Sequence, residues 1–539
     1  MAVTTGSIFV DVLIAVIPAL YLVYWYITNN NDYWDKRGVP NVKKGLFWGT
    51  FLGKQSQTDA VLEIYKQFPD EKYAGLFQFK RPVLMVRDPV LINKVLVKDF
   101  TYFQDRGGPI VKKDIFSKNL FGLRGQVWRA LRYKLTPTFT TGKLRGMFEQ
   151  ISKSGDNMVQ KLKEHSSTKE TARDVDPKNV LFEFTLDVIA SCAFGLQFQP
   201  NTPDFNKFKS IVEKMFTFSP LRFIRFAFVT IAPKISDFLN ISMSSSEAAE
   251  YFTNLTKATI KYRKENNVQR NDYFQMLLSL KEQEESGKDM SHVVPAHVTE
   301  EDAVIDQMHY TQEDDQSIDT PEKLFSEEAL TSNTVIFLSA GSETVARTIG
   351  YTLFEISRHP DIQQKLQQEV DSVLSRHRGW SYDALKEMTY LDEVVQESQR
   401  MNNLLPMLMR ECVRPYKVPD SDLIIEKGTL ILIPVTGLHK DPQYYPEPCQ
   451  FNPDRFKGNN FKPSSTFLPF GDGPRICIAM RFAVMEVKAG VAKVMSQYTV
   501  ELSDKTQLPL QYEVRSFIPS VKNGIFLSFQ RRSLKPEVS

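Results

Sequence analysis

Apolar positions are densest at the start of the chain. Residues 8–27, "IFVDVLIAVIPALYLVYWYI", are almost continuously apolar, and about 20 such residues suffice to cross a bilayer. Asp11 lies near one end, while Tyr21, Tyr24, Trp25 and Tyr26 gather at the other like an interfacial belt. No basic region precedes the segment and no small-residue cleavage site follows it, so it reads as a retained anchor rather than a secretory signal. Lys36, Arg37, Lys43 and Lys44 follow, which by the positive-inside rule keeps the remainder in the cytosol. Residues 1–28 are therefore expected to be a membrane anchor, 29–45 a Pro/Gly/basic linker, and 46–539 one large domain.

Within that domain the period of the pattern changes. "LFQFKRPVLMVRDP" carries strand signals and predicts a small sheet, whereas residues 128–280 are dominated by helical spacing. Residues 282–328 are acidic and poor in aliphatics, a composition that buries too little surface to offset ordering entropy. This segment is expected to be a mobile surface loop, its His292, His297 and His309 solvated rather than metal-bound. A long helix, apolar on every side, then begins near Ala329 and stops at Pro360. Such a helix belongs in the middle of a domain, and Gly341, Ser342 and Thr344 predict a kink or widened turn in it. The chain is thus mainly α with small β-sheets, an α+β fold, and no fixed-period repeat is present.

Composition narrows the function classes. A formal net charge of +3 provides no global basic field, which argues against nucleic acid as a partner. Cys192, Cys412, Cys449 and Cys477 are far apart with no CxxC pair, excluding a disulfide scaffold or a Cys-rich zinc module. A single cysteine with chemistry remains open.

Five short patterns follow one another. "WRALR" puts Trp128 and Arg132 on one helix face, a good donor pair for carboxylates. "AGSET" lies in the long helix. "EVVQESQR" puts Glu397 and Arg400 three apart and able to pair, and "FNPDRF" offers Arg455 as a third member of a buried charge network. Last comes "FLPFGDGPRICIAMRF", in which Gly471, Gly473 and Pro474 lead to Cys477. Its glycines are not a phosphate cradle, because no GK[ST] follows them.

In this order the five patterns resemble the cytochrome P-450 superfamily of heme-thiolate monooxygenases, over nearly the whole chain. "KLTPTFTTGKLRGMF" and "FTLDVIASCAFG" look like the microsomal insect members. The resemblance implies the cytochrome P-450 fold, preceded by one N-terminal transmembrane helix, and heme b (iron protoporphyrin IX) with Cys477 as the axial iron ligand. It implies Trp128, Arg132, Arg410, Arg475 and Arg106 as partners of the heme carboxylates, with Phe470 on the proximal side and Ala340 and Gly341 on the distal side. Thr344 and Glu343 would be catalytic, handling oxygen and protons, and Glu397, Arg400 and Arg455 would form a structural triad. Position gives Ile110, Phe116, Phe337, Leu404, Leu405, Leu408 and Phe517 as pocket candidates.

The expected reaction inserts one oxygen atom of O2 into a lipophilic small molecule, xenobiotic or endogenous. Electrons would come from NADPH through NADPH-cytochrome reductase, with cytochrome b5 as a further partner, at the endoplasmic-reticulum membrane. Lys134, Lys143, Arg145 and Lys488 are candidates for the docking face. Residues 216–234 ("FTFSPLRFIRFAFVTIAPK") interleave aromatics and cations as a membrane-surface segment would. Two other readings keep the heme: a hydroperoxide isomerase or dehydratase that needs no reductase, and a non-catalytic carrier or sensor. The family usually has Gly two positions after the cysteine, where this chain has Ala479, so its methyl is expected to press toward the heme.

Overall fold

The computed structural model of the chain describes residues 29–45, 54–286 and 323–532, apart from 109–110, 112–113, 166–170, 199–201, 217–219, 240, 243–244, 271, 515 and 517, together with scattered positions between 7 and 25. Ile110, Phe517, most of the acidic 282–328 segment and much of the apolar N-terminus therefore lie outside the described residues. No helix among the described residues is long and apolar enough to cross a membrane.

Helices carry most of the described chain. In order these are α1 (Gln57–Gln67), α2 (Gly125–Leu135), α3 (Thr141–Glu164), α4 (Lys178–Ile189), α5 (Pro203–Phe216) and α6 (Pro220–Ile231). They continue as α7 (Ser246–Glu265), α8 (Tyr273–Glu285), α9 (Glu327–Ser357), α10 (Pro360–His377), α11 (Thr389–Met401) and α12 (Met480–Gln497). The strands are β1 (Asn41–Gly45), β2 (Tyr73–Gln78), β3 (Arg81–Val86), β4 (Thr171–Val175), β5 (Leu408–Glu411), β6 (Tyr416–Lys417), β7 (Ile424–Ile425), β8 (Leu430–Ile433), β9 (Tyr498–Leu502) and β10 (Leu527–Arg531). A five-stranded mixed sheet has the order β1-β2-β3-β8-β5, and a three-stranded sheet, β4-β10-β9, joins the strand between α3 and α4 to the two strands that follow α12. The strand signals around residue 80 become the β2–β3 hairpin, in register from Tyr73 opposite Val86 to Gln78 opposite Arg81.

The centre of the domain is α9. Ser326 caps it by accepting from the Ala329 N–H at 3.2 Å, and Glu327 and Glu328 occupy its positive end. It stops two residues before Pro360, which cannot continue a helix. The widened turn expected at Gly341 is absent: the helix is continuous α, and Ser342 and Thr344 bond back to Leu338 O and Ala340 O. Gly341 serves close packing instead. A Cβ there would lie 2.5 Å from Ile189 Cδ1, so its absence lets α4 press against α9.

Helix α12 is also buried along nearly its whole length, against α3, α9 and α10. It carries Glu486, fully buried, with neither carboxylate oxygen hydrogen-bonded. Burial raises this carboxyl well above its ordinary value. The folded protein therefore holds the proton more tightly than the unfolded chain, and the penalty at this site grows as pH rises from the ordinary Glu value to the folded one. Glu486→Leu is expected to stabilise the protein by roughly 1–3 kcal/mol at neutral pH, because an unpartnered buried polar group is removed. Denaturant unfolding between acid and neutral pH checks this: the variant should lose that part of the pH slope. Equal slopes in both proteins would count against it.

Candidate active site

The loop that carries Cys477 is shaped by its backbone. Gly471 and Gly473 have φ of 78° and 67°, the left-handed region that a Cβ disfavours. Asp472 accepts from the Gly473 N–H at 2.7 Å, and residues Gly473–Arg475 form a single 3-10 turn. The Cys477 N–H donates to Phe470 O at 2.9 Å, closing the loop on itself. Cys477 is half-buried. Burial pushes its thiol up, opposed by a hydrogen bond from the Ala479 N–H and by the charges of Arg132 and Arg106. Ala479 has φ of −95° at the start of α12, so the position usually filled by Gly demands no left-handed backbone here.

Beside this loop four arginines converge. Arg475 is buried with its guanidinium 3.7 Å from the centre of the buried Trp128 ring, and it donates to Gln104 O at 2.8 Å and Leu123 O at 3.0 Å. Arg106 is half-buried and donates to Phe121 O at 3.1 Å and Arg475 O at 3.4 Å. Arg410, on β5, donates to Met409 O at 2.9 Å. Arg132 projects from α2 into the same region. Burial, reinforced by mutual repulsion, lowers Arg475 to about 8 and Arg410 to about 9. Burial also lowers Arg132 and Arg106 to about 10, the charge on Cys477 opposing it in both. The nearby acids, Asp105 at 3.6 Å from Arg475 and Asp472 near Arg410, are too few to balance four cations. Arg132 Nε and Arg410 Nε are buried without an acceptor. This donor set fits a flat cofactor bearing carboxylates.

On α9 the accessible positions include Ile336, Ala340 and Thr344, each one turn after the last, with Ser339 and Gly341 beside Ala340 also partly accessible. Thr344 Oγ1 donates to Ala340 O at 2.5 Å. Glu343 points elsewhere, its Oε1 accepting from Arg347 Nε at 2.7 Å. Phe337 is not among them. It stacks on Tyr273 at 4.7 Å and touches Phe139 and Phe482, which makes it part of the aromatic core rather than the pocket lining expected from position. Leu404 and Leu408 are half-buried, Leu405 is exposed, and Phe116 lies edge-on to Phe252 at 6.5 Å. Leu408 Cδ1 comes within 3.9 Å of a Cβ built on Gly471, placing β5 against the cysteine loop.

Glu397 and Arg400 are both fully buried and joined by two hydrogen bonds of 2.7 and 2.8 Å. Arg455 Nε lies 3.3 Å from Glu397 Oε1, and the Asn452 N–H donates to the same oxygen at 3.0 Å. Arg400 also donates to His439 O at 2.8 Å. In the sequence His439 is only a lone His in "GLHKDP", with no spacing that marks it. Its Nε2 accepts from the Leu468 N–H at 2.9 Å and its ring stacks on Phe467, so it joins the buried ion pair to the segment entering the cysteine loop. Burial lowers it to about 3, with the Arg400 charge adding to the effect. Protons then bind the unfolded chain first, and stability should fall as pH drops from about 6.5 toward 3, by up to about 5 kcal/mol for this group. Acid unfolding of wild type against His439→Gln should show a shallower acid limb in the variant; identical limbs would refute the assignment.

The docking candidates fare unevenly. Lys488 is buried and paired with Asp392 at 2.8 Å, because α12 is a core helix, so it cannot contribute to a surface. Arg145 is exposed but held by Asp383 at 2.9 and 2.7 Å, and Lys134 is half-buried near the Phe325 ring.

The cytochrome P450 family model matches residues 40–526, and the chain belongs to that family. It is a P450 monooxygenase, an oxidoreductase, and the family implies heme as its cofactor. Among curated proteins it is similar to cytochrome P450 6k1 of Blattella germanica, 33% identical with 98% of each chain covered. It is also similar to a probable cytochrome P450 6a14 of Drosophila melanogaster, 33% identical over 93% of this chain and 95% of that one. Cytochrome P450 6B7 of Helicoverpa armigera is 32% identical over 97% and 98%.

Proposed function

We propose that the protein is a membrane-associated heme-thiolate monooxygenase that oxidises a lipophilic small molecule with electrons from NADPH-cytochrome reductase. The observation that carries this reading is the pairing of the Cys477 loop with four under-neutralised arginines, two of which hold buried Nε–H groups without acceptors. Cys477 would ligate the iron of heme b, and Arg106, Trp128, Arg132, Arg410 and Arg475 would hold its carboxylates. Bound there, the heme supplies oxygen activation. The Ala479 N–H and the charges of Arg132 and Arg106 favour the thiolate form of Cys477. Thr344, accessible on α9, would hold and pass protons at Oγ1, while Ile336 and Ala340 leave the same face apolar for a lipophilic substrate.

Support for the membrane comes from two exposed apolar sets. Val10, Ile14, Val16, Ile17, Tyr21, Tyr24 and Trp25 are exposed near the N-terminus. Leu221, Ile224, Ile235, Phe238 and Leu239 are exposed within and just after α6, and Phe238 reaches 83%. Arg222, Arg225 and Lys234 are interspersed with the second set, a pattern suited to an anionic lipid surface.

The test is the carbon monoxide difference spectrum of the reduced full-length protein. A strongly red-shifted Soret band, lost in Cys477→Ala and in Cys477→His, is expected. An imidazole-like band in freshly prepared protein, or a red-shifted band surviving Cys477→Ala, would overturn the ligand assignment.

A further inference from the structure

Glu411 ends β5, one residue after Arg410, and successive side chains of a strand leave it on opposite faces. Its carboxylate lies between two arginines, with Oε1 3.0 Å from Arg81 Nη2 and Oε2 3.4 Å from Arg124 Nη1. Each arginine also donates to the backbone immediately after Arg106. Arg81 Nη1 reaches Gly107 O at 3.1 Å, and Arg124 Nη2 reaches Gly108 O at 2.6 Å. On the other side of Arg106, Asp105 O accepts from the Glu411 N–H at 2.7 Å. One residue thus pins positions 105, 107 and 108, directly or through an arginine. Arg81 is itself fixed, donating from Nε to Gly428 O at 2.8 Å. Glu411 Oε2 is buried without a hydrogen bond, so the Arg124 charge is what compensates it. The seat of the loop has no slack. Gly107 is left-handed, with φ of 74°, and a Cβ there would lie 2.4 Å from Leu430 Cδ2.

Arg106 needs such a clamp more than its three companions do. Arg132, Arg410 and Arg475 are buried, whereas Arg106 is half-buried and precedes two glycines. Glycines lose the most backbone freedom on ordering, so an unclamped loop would present Arg106 poorly. Ordering the loop before a ligand arrives strengthens the contact that its arginine makes.

We propose that Glu411 is a positioning residue for the cofactor cradle, holding residues 105–108 through Arg81 and Arg124 so that Arg106 is presented to a heme carboxylate. This rests on the functional reading above and adds to it what orders the most exposed arginine of the cradle. Glu411 and its two partners act on the cofactor only through Arg106. Their loss should therefore weaken cofactor retention no further than the loss of Arg106 itself.

The experiment follows heme transfer from full-length holoenzyme to excess apomyoglobin, together with the resonance Raman propionate bending band of the ferric protein. Arg106→Ala, Glu411→Gln and Arg124→Gln should each release heme several-fold faster than wild type and shift the propionate band in the same direction. Glu411→Gln/Arg106→Ala should release heme no faster than Arg106→Ala alone. Glu411→Asp, which keeps the charge, should restore part of both readouts, as a purely packing role would not. Arg124→Gln guards against misfolding, because the Arg124 side chain is 36% exposed and lies outside the sheet. Additive losses in the double variant, or a propionate band unmoved in both Glu411→Gln and Arg124→Gln, would overturn the clamp. Full heme retention in Arg106→Ala would overturn it together with the assignment of Arg106. A wild-type protein without the red-shifted carbon monoxide band would instead overturn the functional reading beneath it.

Discussion

Gly473→Ala is expected to eliminate the folded Cys477 loop, whereas Gly471→Ala should leave a weakened but formed one. Both glycines have left-handed backbones, which cost an alanine about 1–2 kcal/mol. The difference lies in what the new methyl meets. At Gly471 the nearest atom is Leu408 Cδ1 at 3.9 Å, an ordinary contact. At Gly473 the Cβ would sit 1.9 Å from Leu96 O and 2.8 Å from Leu96 C, backbone atoms of a helical turn that cannot yield cheaply. The cost should exceed about 4 kcal/mol, the range reserved for gross steric conflict. Heme content and the carbon monoxide difference band of the purified variants report the outcome. Equal retention of heme by the two variants would show that the close approach to Leu96 does not govern the loop.

Arg400→Met should destabilise the protein by about 3–5 kcal/mol, because it strands the Glu397 carboxylate in a fully buried site. Arg455 offers partial relief, but its Nε is 3.3 Å away and its Nη2 is engaged with Glu447 O. The change also removes the donors to His439 O and Gln450 O. Glu397→Gln/Arg400→Met should recover a large part of the loss, since no uncompensated charge remains. Chemical denaturation of the single and double variants measures the coupling. A double variant as unstable as the sum of the two single ones would argue against a charge origin.

Much of this fold and site was legible in order along the chain. Spacing alone paired Glu397 with Arg400 and put Trp128 and Arg132 on one face, because a helix fixes which residues are neighbours three and four positions apart. The same rule pairs Glu343 with Arg347, four positions apart. Other points were not legible because they depend on what arrives from elsewhere. Lys488 looks like a surface lysine until α12 is seen buried and Asp392 beside it. Phe337 looks like a pocket residue until Tyr273, Phe139 and Phe482 close around it. Gly341 suggested a distorted helix, yet its missing Cβ accommodates Ile189 of a different helix.

The sequence by itself determined the local chemistry: a cysteine after a loop with two glycines and a proline, a carboxylate and guanidinium one turn apart, and a hydroxyl–acid pair in a long apolar helix. These follow from backbone preference and helical period, which act over a few residues. Only the tertiary structure decided which charges are left without partners, because burial and neutralisation depend on segments hundreds of residues apart. It brought Arg106, Arg132, Arg410 and Arg475 together with too few acids.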